Sequence, residues 1–220
     1  MDAYLNSPLV EIKNLDYTFP DGEVIFKNVS LKVGAGEFVI LLGKNGSGKS
    51  TFINLVLGAY NPLNGHVNVF NMAPTHNRSK IFKKMFFNSH DFDFDENSRV
   101  GFILDNYQIL YPDYDIDKEK RLLADFELDR DKCIHELSTG MKVRVQIIAA
   151  IASGTPLILI DEITAVLDRK ARKMLGELLS KECASGRSVV MATNIPEDTT
   201  LNSNRVLTIR SHGIVDYEAA

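Results

Sequence analysis

Three runs of consecutive apolar residues occur along the chain: EFVILL at 37–42, PLILI at 156–160 and SVVMAT at 188–193. Each is bounded by Gly, Pro or polar residues. A short run that is apolar on both faces predicts a strand buried on both sides, hence a parallel sheet covered by helices. The beginning of the chain is patterned differently. LVEIKNLDYTF and VIFKNVSLKV alternate apolar and polar positions around the turn PDGE, which predicts an antiparallel pair. NGHVNVFN adds a short hairpin-like piece expected to turn at Asn64 and Gly65. Between about residues 91 and 140 the chain becomes acidic, aromatic and helix-forming, as in RVGFILDNYQILY and DKEKRLLADFEL. That stretch predicts an inserted helical subdomain, and a last strand pair is expected near NRVLTIRSHGIVDYE.

Composition narrows the class without naming a function. With 220 residues, 45% of them apolar, the chain can bury one sizeable core and carry a subdomain. Its 25 Lys plus Arg against 29 Asp plus Glu give no field that would draw it to nucleic acid or to an anionic membrane, and no nucleic-acid partner is expected. Cys133 and Cys183 lie far apart and fit no zinc spacing, so they read as free thiols in a reducing compartment. The N-terminus MDAYLNSPLV lacks the basic and apolar regions of a signal peptide, and no apolar run reaches the roughly 18 residues that span a bilayer. The expectation is a cytosolic chain whose membrane role, if it has one, comes through a partner.

The strongest chemical signal is LLGKNGSGKST, a match to the Walker A pattern placed between the first apolar strand and an amphipathic helix, STFINLVLGAY. Gly43, Lys44, Asn45, Gly46, Ser47, Gly48, Lys49, Ser50 and Thr51 form the expected ATP-binding loop. Glycines let successive N–H groups face one anion, the helix N-terminus adds its positive end, Lys49 neutralises the outer phosphates and the Ser50 hydroxyl reaches Mg2+. A glycine-rich turn ahead of a helix is the plain alternative, and the flanking elements argue against it. LILIDEI then delivers Asp161 and Glu162 at the carboxyl end of a buried strand, where ligands gather in an open α/β sheet. Asp161 is the second candidate for the magnesium shell, and Glu162 is the candidate general base for the attacking water. An Asp-Glu pair after a strand is by itself more often a solvated turn; its company with the glycine loop gives it a role. In HELSTGMKVRVQIIAAIAS, Ser138 is a good helix N-cap. Ser138, the Gly140 backbone and the helix dipole also make a second anion site.

These motifs together resemble the ATPase subunit of ABC transporters over essentially the whole chain. LSTGM, with Ser138, Thr139, Gly140 and Met141, is similar to the family signature; TAVLD at 164–168, with Asp168, resembles its D-loop; and Phe19 in YTFPDG falls where an aromatic stacks on adenine. The resemblance implies an α/β fold: a P-loop NTPase core with a mixed and parallel sheet flanked by helices (residues 1–90 and 141–220), an N-terminal antiparallel β part and a helical subdomain at about 91–140. It implies ATP and Mg2+ as cofactors. It also implies two such subunits sandwiching two ATP molecules, each signature facing the other subunit's glycine loop, on an integral membrane permease at the inner face of the cell membrane. YPDYDIDKEKRLLADFELDRDKCIHELSTGM is similar to the helical region of ABC-2 type exporters, the subgroup that includes drug, antimicrobial peptide and bacteriocin immunity exporters.

The departures from the family pattern are few. Thr139 and Met141 stand where glycine and glutamine are commoner. The family's Q-loop glutamine falls near FFNSHDFDF, where His90 aligns; an imidazole suits magnesium poorly, and in another register Asn88 or Asp91 takes that place. After the strand ending MAT the family has a histidine that touches the γ-phosphate and the attacking water, and here it is Asn194. Asn donates a hydrogen bond but carries no positive charge and shares no proton, which implies tight ATP binding and slow turnover. Asn194 as a simple cap before Pro196 is the bland alternative. HDFDFDENSR, with Asp91, Asp93, Asp95 and Glu96 between Phe92 and Phe94, is expected near the permease's coupling helix. Three readings follow: an exporter ATPase, a nucleotide-gated clamp beside an unlike ATPase subunit, and a soluble ABC ATPase outside transport.

Overall fold

A computed structural model describes residues 7–89 and 94–217. His90, Asp91, Phe92 and Asp93 lie outside the described residues. The element order is β1 (Val10–Thr18), β2 (Val24–Val33), β3 (Phe38–Leu42), α1 (Lys49–Val56), β4 (Asn64–Val69), α2 (Pro74–Phe82), β5 (Met85–Ser89), α3 (Val100–Leu110), α4 (Ile116–Asp125), α5 (Thr139–Ala152), β6 (Leu157–Asp161), α6 (Arg169–Ala184), β7 (Ser188–Thr193), β8 (Arg205–Arg210) and β9 (Gly213–Asp216). The strands form two sheets: β2-β1-β4, antiparallel, and a six-stranded sheet in the order β5-β6-β7-β3-β8-β9. The larger sheet is parallel except for the β8–β9 hairpin. This is an α/β P-loop NTPase fold with an antiparallel sheet at its N-terminal side.

The three continuous apolar runs become β3, β6 and β7, which are adjacent in the order β6-β7-β3. Their residues divide by parity. Phe38, Ile40, Ile158, Ile160, Val189 and Met191 join the core under the helices α3 to α6, while Val39, Leu41, Leu157, Leu159, Val190 and Ala192 join the core shared with α1 and the antiparallel sheet. Strand pleating sends successive side chains to opposite faces, so a strand apolar at every position feeds two cores at once. α5 is buried at every residue from Val143 to Ala152 except Arg144, as a helix apolar nearly all round must be. Its C-terminal carbonyls are capped by a buried arginine: Arg187 Nη1 donates to Ile151 O at 2.7 Å and Nη2 to Ala150 O at 2.9 Å, with Glu182 as counter-ion.

The structure changes one expectation and adds two features to it. Asn64 and Gly65 are not a hairpin turn; they open β4, which pairs with β1, and a Cβ on Gly65 would come within 2.3 Å of the Lys13 and Asn14 carbonyl oxygens. The turn lies instead at Phe70 and Asn71, both at positive φ, where Val69 bridges Met72. Second, Met85–Ser89 is a strand at the sheet edge, paired with β6. Third, the acidic stretch after Ser89 is partly engaged within the chain. Glu96 pairs with Lys142 at 2.5 Å, Asp95 accepts from the Ser98 hydroxyl at 3.0 Å, and Phe94 is half-buried against the helical-side core.

Candidate functional site

The carboxyl ends of β3, β6 and β7 each deliver one piece of the site, and the parallel register brings them side by side. Asp161 lies between Ser89 of β5 and Ala192 of β7, and Leu42 lies beside Thr193. The loop after β3 turns into α1 through glycines whose conformations the sequence requires. Gly46 and Gly48 have φ of 76° and 104°, and a Cβ on Gly48 would lie 2.7 Å from the Ile25 side chain. Gly43 has no room either, since its Cβ would sit 2.3 Å from Ser47 Oγ, itself buried and without a hydrogen-bond partner among the described residues. The Gly43 N–H donates to Thr193 O at 3.1 Å, which ties the loop's start to the end of β7.

Lys49, the first residue of α1, is 3% exposed. Its ammonium donates to Gly43 O at 2.8 Å and Lys44 O at 2.9 Å and forms an ion pair with Glu162 Oε1 at 2.8 Å. Glu162 itself holds a left-handed backbone, φ 55°, with its N–H on Ala192 O at 3.0 Å. That conformation costs a β-carbon-bearing residue about 1–2 kcal/mol, so the carboxylate is placed against a local preference. A cleft of about 300 Å³ is lined by Phe19, Glu23, Ile25, Gly46, Gly48, Lys49, Ser50, Thr51 and Glu162. Phe19 is held edge-on to Tyr17 and Tyr60, with ring centroids 5.3 and 6.2 Å away. Asn194, just past β7, donates from Nδ2 to Asn45 Oδ1 at 2.7 Å, so the strand end reaches the glycine loop through an amide pair.

A second cleft, about 370 Å³, is lined by Ser138, Thr139, Gly140 and Met141 together with Arg144, Val166, Leu167, Asp168 and Ala171. Two helix N-termini meet there. Ser138 Oγ accepts the Met141 N–H at 3.3 Å and caps α5, and Asp168 Oδ1 accepts the Ala171 N–H at 2.8 Å and caps α6. The backbone N–H of Ala171 is the main cause holding the Asp168 carboxyl below its ordinary range. The two clefts share no lining residue.

The protein-family model for ABC transporters matches residues 26–165, from β2 through the turn that follows Glu162. The chain belongs to the ABC transporter family. An energy-coupling factor transporter ATP-binding protein, EcfA1, of Mycoplasma capricolum is 28% identical over 95% of this chain and 53% of its own length. A macrolide export ATP-binding/permease protein, MacB, of Campylobacter jejuni is 29% identical over 94% of this chain and 34% of its own. The chain thus spans about half the length of the first relative and a third of the second. A solved structure described as the ATP binding subunit of an ABC transporter superposes with a TM-score of 0.83 at 24% identity, covering 94% of this chain and 88% of that one, a likeness of fold.

In this ABC chain the residues singled out from sequence fall into two groups. Phe19, Gly46, Gly48, Lys49, Ser50, Thr51 and Glu162 share the first cleft, with Asn45 and Asn194 joined beside it; the signature residues Ser138 to Met141 and Asp168 share the second. Of the Q-loop candidates, His90 and Asp91 are outside the described residues. Asn88 is buried in β5 opposite Ile160, and its Nδ2 has no hydrogen-bond partner among the described residues. The donor set suits magnesium: Ser50 offers a hydroxyl at the cleft and Asp161 a buried carboxylate at the end of β6. Among the described residues no group of three or more His, Cys, Asp or Glu could hold a metal ion. Sequence reasoning missed Asp198. It is fully buried, and its Oδ2 accepts from the hydroxyls of Thr164 and Thr193, each at 2.6 Å. Its neighbour Glu197 is an acid too, and the only local hint was a threonine at the end of a strand otherwise apolar after Ser188.

Proposed function

We propose that this chain is the ATP-binding and ATP-hydrolysing subunit of an exporter that drives an ABC-2 type integral membrane permease. The observation that carries the reading is the division of the site into two clefts. One has the phosphate loop and the candidate base, and the other has the signature and two helix N-termini, so a complete nucleotide site needs two chains. The glycine-loop N–H groups and Lys49 bind the phosphates, and Phe19 stacks on the base. Ser50 and Asp161 would hold Mg2+, which would supply positive charge against the phosphates when bound. Glu162 accepts the proton of the attacking water. Asn194 keeps one donor near the reacting phosphate but adds no charge as it develops, so hydrolysis is slowed while binding is kept.

The membrane partner is supported by α3, which leaves Phe102 60%, Ile109 81% and Leu110 63% exposed. Among the described residues no helix is long and apolar enough to cross a membrane, and the chain works as a peripheral subunit on the cytoplasmic face. Export is supported by the likeness of the helical region to ABC-2 exporters and by the name of the MacB relative. One observation favours the second reading, a nucleotide-gated clamp beside an unlike ATPase: one amide hydrogen of Asn194 is already taken by Asn45. The test is purification of the chain from membranes with identification of what accompanies it, followed by sizing with ATP and Mg2+. An exporter subunit brings a six-helix permease and doubles in size with ATP; a chain that stays monomeric and brings no membrane protein overturns the proposal.

A further inference from the structure

Asp198 is a buried carboxylate outside both clefts, and two functional segments meet on it, one of them tied in turn to the glycine loop. Thr164 stands two residues after Glu162 and four before Asp168, in the 3-10 turn Ile163–Val166, and its hydroxyl donates to Asp198 Oδ2. Thr193 stands immediately before Asn194. Its hydroxyl donates to the same oxygen and accepts the Ile195 N–H at 3.1 Å, while its carbonyl accepts the Gly43 N–H. The two threonine hydroxyls are 3.4 Å apart, and Arg172 of α6 faces Oδ1 at 3.8 Å. The backbone of Asp198 is fixed as well, its N–H on Ile195 O and its carbonyl accepting from Leu201, both at 3.1 Å.

One buried oxygen that receives two hydroxyl donors holds them at a set separation, because charge-assisted hydrogen bonds are short and strong and leaving either donor unpaired in the interior is costly. Asp198 thereby fixes the turn that carries Glu162 and Asp168 against the strand end that carries Asn194, and through Thr193 it fixes both against the glycine loop. We propose that Asp198 is a positioning residue for hydrolysis, setting Glu162, Asn194 and Asp168 in mutual register without touching the nucleotide. This rests on the hydrolytic reading of the first cleft. Ground-state phosphate binding depends on the loop N–H groups and Lys49, which Asp198 does not contact, so its loss acts on turnover rather than on affinity. A misplacement of about 1 Å costs on the order of 10²-fold in rate.

The experiment compares the parent with Asp198→Ala, Asp198→Asn, Thr164→Val and Thr193→Val by steady-state ATPase, by ATP affinity in magnesium-free buffer, and by hydrogen exchange of segments 162–168 and 193–198 with ATP bound. Asp198→Ala should lower kcat by tenfold or more with KM and ATP affinity within twofold, and should speed exchange in both segments. Asp198→Asn keeps a carbonyl oxygen for both hydroxyls and should recover most of the lost turnover. Each threonine variant should reproduce part of the loss, and these two keep the proposal testable if Asp198→Ala fails to fold. Exchange is read with or without hydrolysis, so a parent that turns over no ATP overturns the hydrolytic reading while the exchange still decides the linkage. Unchanged exchange in the Asp198 and threonine variants, or a loss confined to KM, overturns the role given to Asp198.

Discussion

Replacing Glu162 by Gln should make the nucleotide-free protein less stable and its ATP complex tighter. In the structure the carboxylate lies 2.8 Å from the Lys49 ammonium, and the lysine is almost fully buried. At an effective dielectric of about 20 that pair is worth about 6 kcal/mol of gross attraction, most of it offset by the desolvation of both ions. Removing one partner of a fully buried pair costs about 3–5 kcal/mol. Here Lys49 keeps two carbonyl acceptors, Glu162 is only half-buried, and a Gln side chain still offers an oxygen, so about 1–2 kcal/mol is the expected loss. For a chain of this size that lowers the unliganded Tm by about 2–8 °C. The γ-phosphate takes the place of the lost carboxylate, so the same 1–2 kcal/mol returns as binding, a gain of about 5- to 30-fold in ATP affinity. Thermal melts and calorimetry in magnesium-free buffer, where neither protein hydrolyses, measure both ends of the cycle. An unliganded Tm equal to or above that of the parent, together with an unchanged Kd, would refute the competition between Glu162 and phosphate for Lys49.

Three other outcomes are expected. Asn194→His should raise kcat by on the order of 10², with ATP affinity little changed, and Glu162→Gln in the same chain should cancel the gain; a parent already turning over at about 10 per second contradicts the slowed site. Phe102→Asp combined with Ile109→Asp on α3 should abolish co-purification with membranes while leaving ATP binding intact, and unchanged co-purification removes α3 from the docking face. Burial pushes the Cys183 thiol up to about 12, whereas Cys133 is half-buried, so at pH 8 a thiol reagent should modify Cys133 in the native protein and Cys183 only after unfolding; equal rates for both would contradict the packing.

The parallel sheet was legible because β3, β6 and β7 are apolar at consecutive positions, and such strands have few alternatives. The glycine loop was legible from its spacing, and the structure gives reasons for the glycines: a Cβ would crowd Ser47 at Gly43 and Ile25 at Gly48, and Gly46 and Gly48 lie at positive φ. β5 was not, since MFFNS is short, ends in polar residues and follows two lysines, and only its pairing with β6 makes it a strand. The turn at Phe70 and Asn71 was hidden by the better-looking Asn64 and Gly65, whose glycine is demanded by the close approach of β1. Asp198 was hidden for a deeper reason: its partners are two threonines 5 and 34 residues away, a coincidence of tertiary structure that no local pattern records.

The parity of the central strands has a consequence for how the protein can change. Even-numbered β3 and β6 positions such as Ile40 and Ile160 pack toward the helices, while Leu41 and Leu159 pack toward α1 and the antiparallel sheet. The sheet is therefore a partition with separate tenants. Substitutions on the helical side can reshape α3 and the surface it offers without altering a side chain behind the glycine loop, so the outer surface and the phosphate loop can change independently, each from its own side of the wall.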